Sequence, residues 1–204
     1  MIKDSREEGQ VAELRDSEDG RLAFSLRLLE WESYEVDERE RLVSQLSPQE
    51  RESAKLMVKY SNEWIEYKAS IVCLGENLFH VEGSLYLPDL EELVGSLAEL
   101  VDGRKKKLDF EPIEPDFRLF ISREVDGWVD KSVLYHPLKG EEIEEGVFEV
   151  YAEIDLGGAK RQPYTGTGPG VRFLVSKDDI GRFSAELERE REELGRPPEE
   201  LIEN

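Results

Sequence analysis

Residues 64–103 read WIEYKASIVCLGENLFHVEGSLYLPDLEELVGSLAELVDG, and the fold turns on them. Two runs rich in β-branched and aromatic residues flank a turn. The first, 64–74, carries Trp64, Tyr67, Ile71 and Val72; the second, 78–87, carries Phe79, Val81, Leu85 and Leu87. Gly75-Glu76-Asn77 between them is the expected turn, because glycine and asparagine take a positive φ at little cost. The period then changes. From Leu90 onward, apolar residues return at Leu93, Val94, Leu97, Leu100 and Val101, the single stripe of a helix over about 89–102. Pro88-Asp89 opens this helix, and Asp89, Glu91 and Glu92 sit where the positive end of its dipole favours acids. Asp102-Gly103 closes it, and the basic run Arg104-Lys105-Lys106-Lys107 follows at the end that favours cations. A hairpin that runs straight into an amphipathic helix points to an antiparallel sheet packed by helices.

The flanking sequence extends that pattern. Upstream, Leu22, Phe24, Leu26 and Leu28 alternate as in a half-buried strand. Residues 34–53 are dense in Glu and Arg and hold Ser47-Pro48-Gln49-Glu50, with N-cap, N1 and N3 residues that start a helix, so a surface helical insertion is expected. Residues 1–20 are polar and acidic and are expected to fray. Downstream, strands are expected at 107–110, 117–122, 128–135, 147–154 and 170–175, separated by turns such as Asp126-Gly127 and Gly157-Gly158. Ser176-Lys177-Asp178-Asp179 has the form of a capping box, and Ile180, Phe183, Leu187 and Leu194 give the sparse stripe of a surface helix over 177–194. Arg196-Pro197-Pro198 stops it, leaving 196–204 as a tail. No internal repeat is evident in the sequence. Strands in runs, with helices between and after them, define an α+β class: an antiparallel sheet, sandwich-like or curved, packed by two main helices in one domain over 21–195.

Charge narrows the function. The chain carries 48 acidic and 27 basic residues, a formal net charge of −21, with hydrophobic residues at 38% and charged residues at 37%. Such an excess either solvates the surface, as ion-pair networks do in heat-adapted proteins, or presents a complementary face to a basic partner. Direct nucleic-acid binding is disfavoured, because phosphate contacts need clustered Lys and Arg and only Arg104–Lys107 offers a cluster. Cys73 is the only cysteine, which excludes an intramolecular disulfide and a thiolate metal cage. Its apolar neighbours Ile71, Val72 and Leu74 lead us to expect a buried, unreactive thiol. No stretch approaches the ~18 apolar residues of a membrane helix, and the first twenty residues lack the apolar centre of a signal peptide. A cytoplasmic protein without membrane attachment is expected.

Candidate sites are few. Thr165-Gly166-Thr167-Gly168-Pro169-Gly170 invites a phosphate-loop reading, but a strand follows it and the phosphate-loop lysine is missing, so it reads as a connection between strands. His80 and His136 are isolated from one another and from other ligands, and no metal, cofactor or catalytic set is expected. Paired carboxylates such as Asp178-Asp179 are too common here to mark a hydrolase. The acidic, glycine-bounded stretch holding Glu141, Glu142, Glu144 and Glu145 is the preferred place for a partner contact. Asp126 with Trp128 beside the Asp126-Gly127 turn is the second, since a tryptophan near a turn can anchor an interface.

The order of motifs carries a resemblance. Asn62-Glu63-Trp64-Ile65 opens a strand, and Asp89-Leu90-Glu91-Glu92-Leu93 opens the acidic helix. Leu108-Asp109-Phe110-Glu111-Pro112 follows, then the strand from Phe117, and finally Val171-Arg172-Phe173 leads into the Ile180–Leu187 helix. Over about 62–190 this succession resembles the bacterial wall-associated-protein immunity family (WapI type). The resemblance implies a non-enzymatic protein that binds and neutralises a cognate toxin, often a nuclease, and it brings no catalytic residues and no cofactor. A housekeeping domain whose acidity only keeps it soluble is the alternative, and a carboxylate-dependent hydrolase a more distant one.

Overall fold

The computed structural model describes residues 11–18, 20–31, 63–113, 116–123, 146–155 and 168–196. Within them lie strands β1 (Ala12–Arg15), β2 (Leu22–Trp31), β3 (Trp64–Cys73) and β4 (Glu76–Tyr86), then helix α1 (Leu87–Val101). Strands β5 (Lys107–Phe110), β6 (Phe117–Ser122), β7 (Val147–Ile154) and β8 (Gly170–Ser176) follow, and helix α2 (Lys177–Leu194) ends the series. The strands form two four-stranded antiparallel sheets, ordered β1-β2-β3-β4 and β5-β6-β7-β8. The α+β class expected from the sequence holds, in the sandwich-like arrangement. The expected helix over 34–53 and strand over 128–135 lie outside the described residues.

The central hairpin forms where its alternation places it, with a tighter turn than the sequence suggests. Leu74 and Gly75 form the turn, both at positive φ (54° and 83°), and β4 begins at once with Glu76. Two central residues of positive φ match the twist of the paired strands. Val72 faces Asn77 while Ile71 faces Phe79, so Leu78 is an extra residue, a β-bulge two positions into β4. On the inner face, Ile65, Tyr67, Ala69 and Ile71 of β3 join Phe24, Leu26 and Leu28 of β2, all buried.

Three features differ from the sequence reading. Ala12–Arg15, inside the segment expected to fray, pairs with β2, and its Ala12 and Leu14 are fully buried. Two apolar positions in a polar run leave too little periodicity to mark a strand; α2 and β8 pack against β1. The architecture also repeats although the sequence does not. Four antiparallel strands lead directly into a helix twice, with Tyr86 as the N-cap of α1 and Ser176 as that of α2. Finally, the cation at the last turn of α1 comes from elsewhere: Arg123, just after β6, donates to the Leu100 carbonyl at 3.0 Å and lies over the Phe148 ring. Lys105, from the expected basic run, turns back to Ser96 and Glu99, and its hydrogen bond is the main reason the Glu99 carboxyl sits below its ordinary value.

The capping box on α2 is present in full. Ser176 Oγ accepts the Asp179 N–H, and the Asp179 carboxylate accepts the Ser176 N–H. The inner faces of the two sheets and the apolar stripes of both helices share one hydrophobic core. At its centre Phe117 (β6) packs against Phe24 (β2), Tyr67 (β3) and Phe110 (β5), with ring centroids 5.4–5.9 Å apart. Phe183 of α2 closes on Phe24 from the far side.

Candidate partner-binding surface

The β3–β4 hairpin carries three of the four exposed large apolar side chains among the described residues. Leu74 is 73% exposed, Leu78 53% and Phe79 37%; among the described residues Ile113 is the one other large hydrophobic so open. Sequence periodicity explains why they stand out. Phe79 takes an inward-facing register opposite buried Ile71, yet it directly follows the bulge at Leu78 and stays exposed. Glu76, Asn77, Leu78, Phe79 and His80 are exposed in succession. Glu82, also exposed, pairs across the hairpin with Lys68 at 3.0 Å, a contact of small energetic weight at a solvent-facing site. β4 ends its sheet, with β3 on one side.

Hydrogen bonds place this hairpin relative to the rest of the molecule. The Leu74 N–H donates to the Arg21 carbonyl, and the Ser17 N–H donates to the Leu174 carbonyl of β8. Three residues beyond Leu174, the Lys177 N–H donates to the Gly146 carbonyl. The hairpin turn and the points where the chain leaves β6 and returns at β7 therefore lie at one end of the two-sheet core.

A second polar surface covers the outer face of the β5–β8 sheet. There Glu149 (β7) accepts from Arg172 (β8) at 2.9 Å, and Glu153 accepts from Tyr151 at 3.1 Å and from the Gly168 N–H at 2.9 Å. Arg118 grips Asp109 with two bonds of 2.7 and 2.8 Å. Burial raises the Glu149 carboxyl above its ordinary value, against the opposing pull of Arg172. Glu149 and Glu153 are four residues apart on one strand, about 13 Å between their Cα atoms. Acid–base pairs in glycosidases hold their carboxyls at roughly 5–9.5 Å, and each of these two is already engaged by its own donors. Gly168 explains the glycine-rich stretch better than any phosphate does. A Cβ there would stand 1.9 Å from the Ile154 carbonyl oxygen, so only glycine lets the backbones approach.

The residues singled out from the sequence separate accordingly. Glu141, Glu142, Glu144, Glu145, Asp126 and Trp128 lie outside the described residues, as does His136. His80 is exposed on β4. Cys73, expected to be buried, is half-buried at the end of β3, because the turn at Leu74 carries it past the covered part of the sheet. Among the described residues no group of three or more His, Cys, Asp or Glu is placed to hold a metal ion, and no helix is long and apolar enough to cross a membrane. Sequence reasoning missed the hairpin surface. Its signal is the adjacent pair Leu78-Phe79, which breaks strict alternation.

Two antiparallel four-stranded sheets around one core, with two helices, define an α+β protein whose edge hairpin exposes apolar side chains beside carboxylates. The chain belongs to the WapI-like immunity protein family, whose model matches residues 14–195. The match begins well before the motifs at Trp64 and takes in the end of β1 and all of β2. No curated protein matches the chain.

Proposed function

We propose that this is a non-enzymatic immunity protein that binds a basic, nuclease-like toxin in the cytoplasm and masks its nucleic-acid cleft. Membership of an immunity family over residues 14–195 carries the reading. The charge of −21 supports it, since a carboxylate-rich surface competes with phosphate for a basic cleft and speeds encounter. Glu141, Glu142, Glu144 and Glu145, with Asp126 and Trp128, are the proposed electrostatic contacts. They belong to the connection that leaves and rejoins the fold at the hairpin end.

The test mixes the purified chain with a panel of inactive variants of basic bacterial nuclease-toxin domains, in 50 and 200 mM salt. Tight one-to-one binding is expected, with an association rate that falls at least tenfold as salt rises. Reversing the four glutamates to lysine is expected to slow association by a further tenfold or more. Absence of binding at either salt rejects the proposal; binding insensitive to both salt and charge reversal rejects the electrostatic contacts.

A further inference from the structure

Resting on that reading, we infer that the free edge of β4 between Glu76 and Glu82 captures an extended segment of the partner as an added strand, one in which Lys or Arg alternates with apolar residues. Among the described residues β4 is the last strand of its sheet, so one side of its backbone is spent on β3 and no described strand pairs with the other. Natural edges of this kind are usually blunted with Lys, Pro, a β-bulge or a cover; here the bulge at Leu78 sits next to the turn and leaves Phe79 to Glu82 in regular register with β3. The stretch Glu76-Asn77-Leu78-Phe79-His80-Val81-Glu82 holds neither lysine nor proline, and its first five residues stand exposed. An added strand gains backbone hydrogen bonds from such an edge and its specificity from alternate side chains. Leu78 and Phe79, with Leu74 beside them at the turn, supply the apolar contacts. Glu76 at the turn end selects a cation, and Glu82 at the other end exchanges its weak exposed pair with Lys68 for an incoming one.

Charge decides between the possible occupants. A second copy of the chain would bring its own −21 and set Glu76 and Glu82 against their counterparts, an arrangement in which like charges oppose pairing. A basic strand meets the opposite situation.

The test uses the full chain, isotope-labelled for NMR, and two synthetic decapeptides of alternating lysine and valine. They are identical except that one carries methyl groups on alternate backbone nitrogens, which blocks a strand ladder. With the unmodified peptide, resonances of Glu76–Glu82 are expected to shift, and alternate amides there to gain at least tenfold protection from hydrogen exchange. The methylated peptide is expected to do neither. The double variant Leu78→Lys/Phe79→Lys, which changes two exposed side chains, is expected to lose at least tenfold in peptide affinity with an unchanged melting temperature. Shifts confined to other surfaces, equal responses to both peptides, or no response at millimolar peptide would each overturn the inference. Toxin binding measured independently would survive that result, and loss of toxin binding with peptide capture intact would remove the toxin reading alone.

Discussion

Glu190 occupies a place where an apolar residue is expected. The stripe of α2 runs Ile180, Phe183, Leu187 and Leu194, and the gap between its last two members falls at this carboxylate, which is buried. Its oxygens accept the Leu28 N–H at 2.7 Å and the Ala12 N–H at 3.3 Å. β2 runs on past Ala12, where β1 begins, and the side chain takes up donors at the end of that ladder. Burial raises the Glu190 carboxyl above its ordinary value, although both N–H groups and the cations Arg27 and Arg189 pull it down. A raised value means that the folded state binds the proton more tightly than the unfolded chain does. This group's contribution to stability is therefore complete below its ordinary value of 4.5 and is lost as pH rises through the folded value. Glu190→Gln, a neutral isostere, is expected to flatten that dependence, so urea titrations at pH 5 and 7 should differ less than in the parent; an unchanged difference would contradict it. Glu190→Ala leaves two buried donors unpaired and is expected to cost about 2–4 kcal/mol. A lone glutamate in a helix rich in Glu and Arg reads as solvated, and only the interrupted three-four rhythm marks it.

At the scale of elements, period and punctuation were enough for most of the chain. The strands read at 107–110, 117–122 and 147–154 form over those residues, and the capping box fixes the start of α2. Alternation says which face of a strand is buried but not which strands are neighbours, so the division into two sheets around α1 had no local signature. The candidate surface was illegible for a related reason: an inward register implies burial unless a bulge intervenes, and nothing local in the sequence beyond the adjacent pair Leu78-Phe79 marks the bulge at Leu78. Glycines test this account in opposite directions. At Gly83 on β4, an added Cβ would stand 2.2 Å from Asp116 Oδ2, which accepts the Tyr67 hydroxyl at 3.2 Å. Gly83→Ala must displace that buried carboxylate and is expected to cost about 1–3 kcal/mol. At Gly95, exposed on α1, a Cβ meets nothing within 4 Å. Gly95→Ala is expected to stabilise by about 0.5–1 kcal/mol, because alanine has less backbone freedom to lose. Thermal melts of the two variants should move in opposite directions, and a matching direction would contradict the packing described at β4.

Over the whole molecule, repulsion among surplus carboxylates opposes the compact state, and the shared core must hold against it. That core does not divide along the architectural repeat. α2, which follows the second sheet, lies on β1 and β2 of the first, while α1 packs against both α2 and β5. Phe117 ties the layers together through Phe24 and Tyr67 on one sheet and Phe110 on the other. Phe117→Ala removes a fully buried ring from this junction and is expected to cost about 3–5 kcal/mol. Because the ring belongs to both halves, the loss should appear in one cooperative transition. In a Trp128→Phe background, tryptophan fluorescence, drawing on Trp31 and Trp64 in the first sheet, and far-ultraviolet circular dichroism, which averages over all elements, should give coincident urea curves for parent and variant. Adding 0.5 M sodium chloride should raise both midpoints by weakening self-repulsion. Separate transitions for the two probes would mean that each four-strand-plus-helix unit holds its own fold, and the packing of α2 across the first sheet would then contribute little to stability.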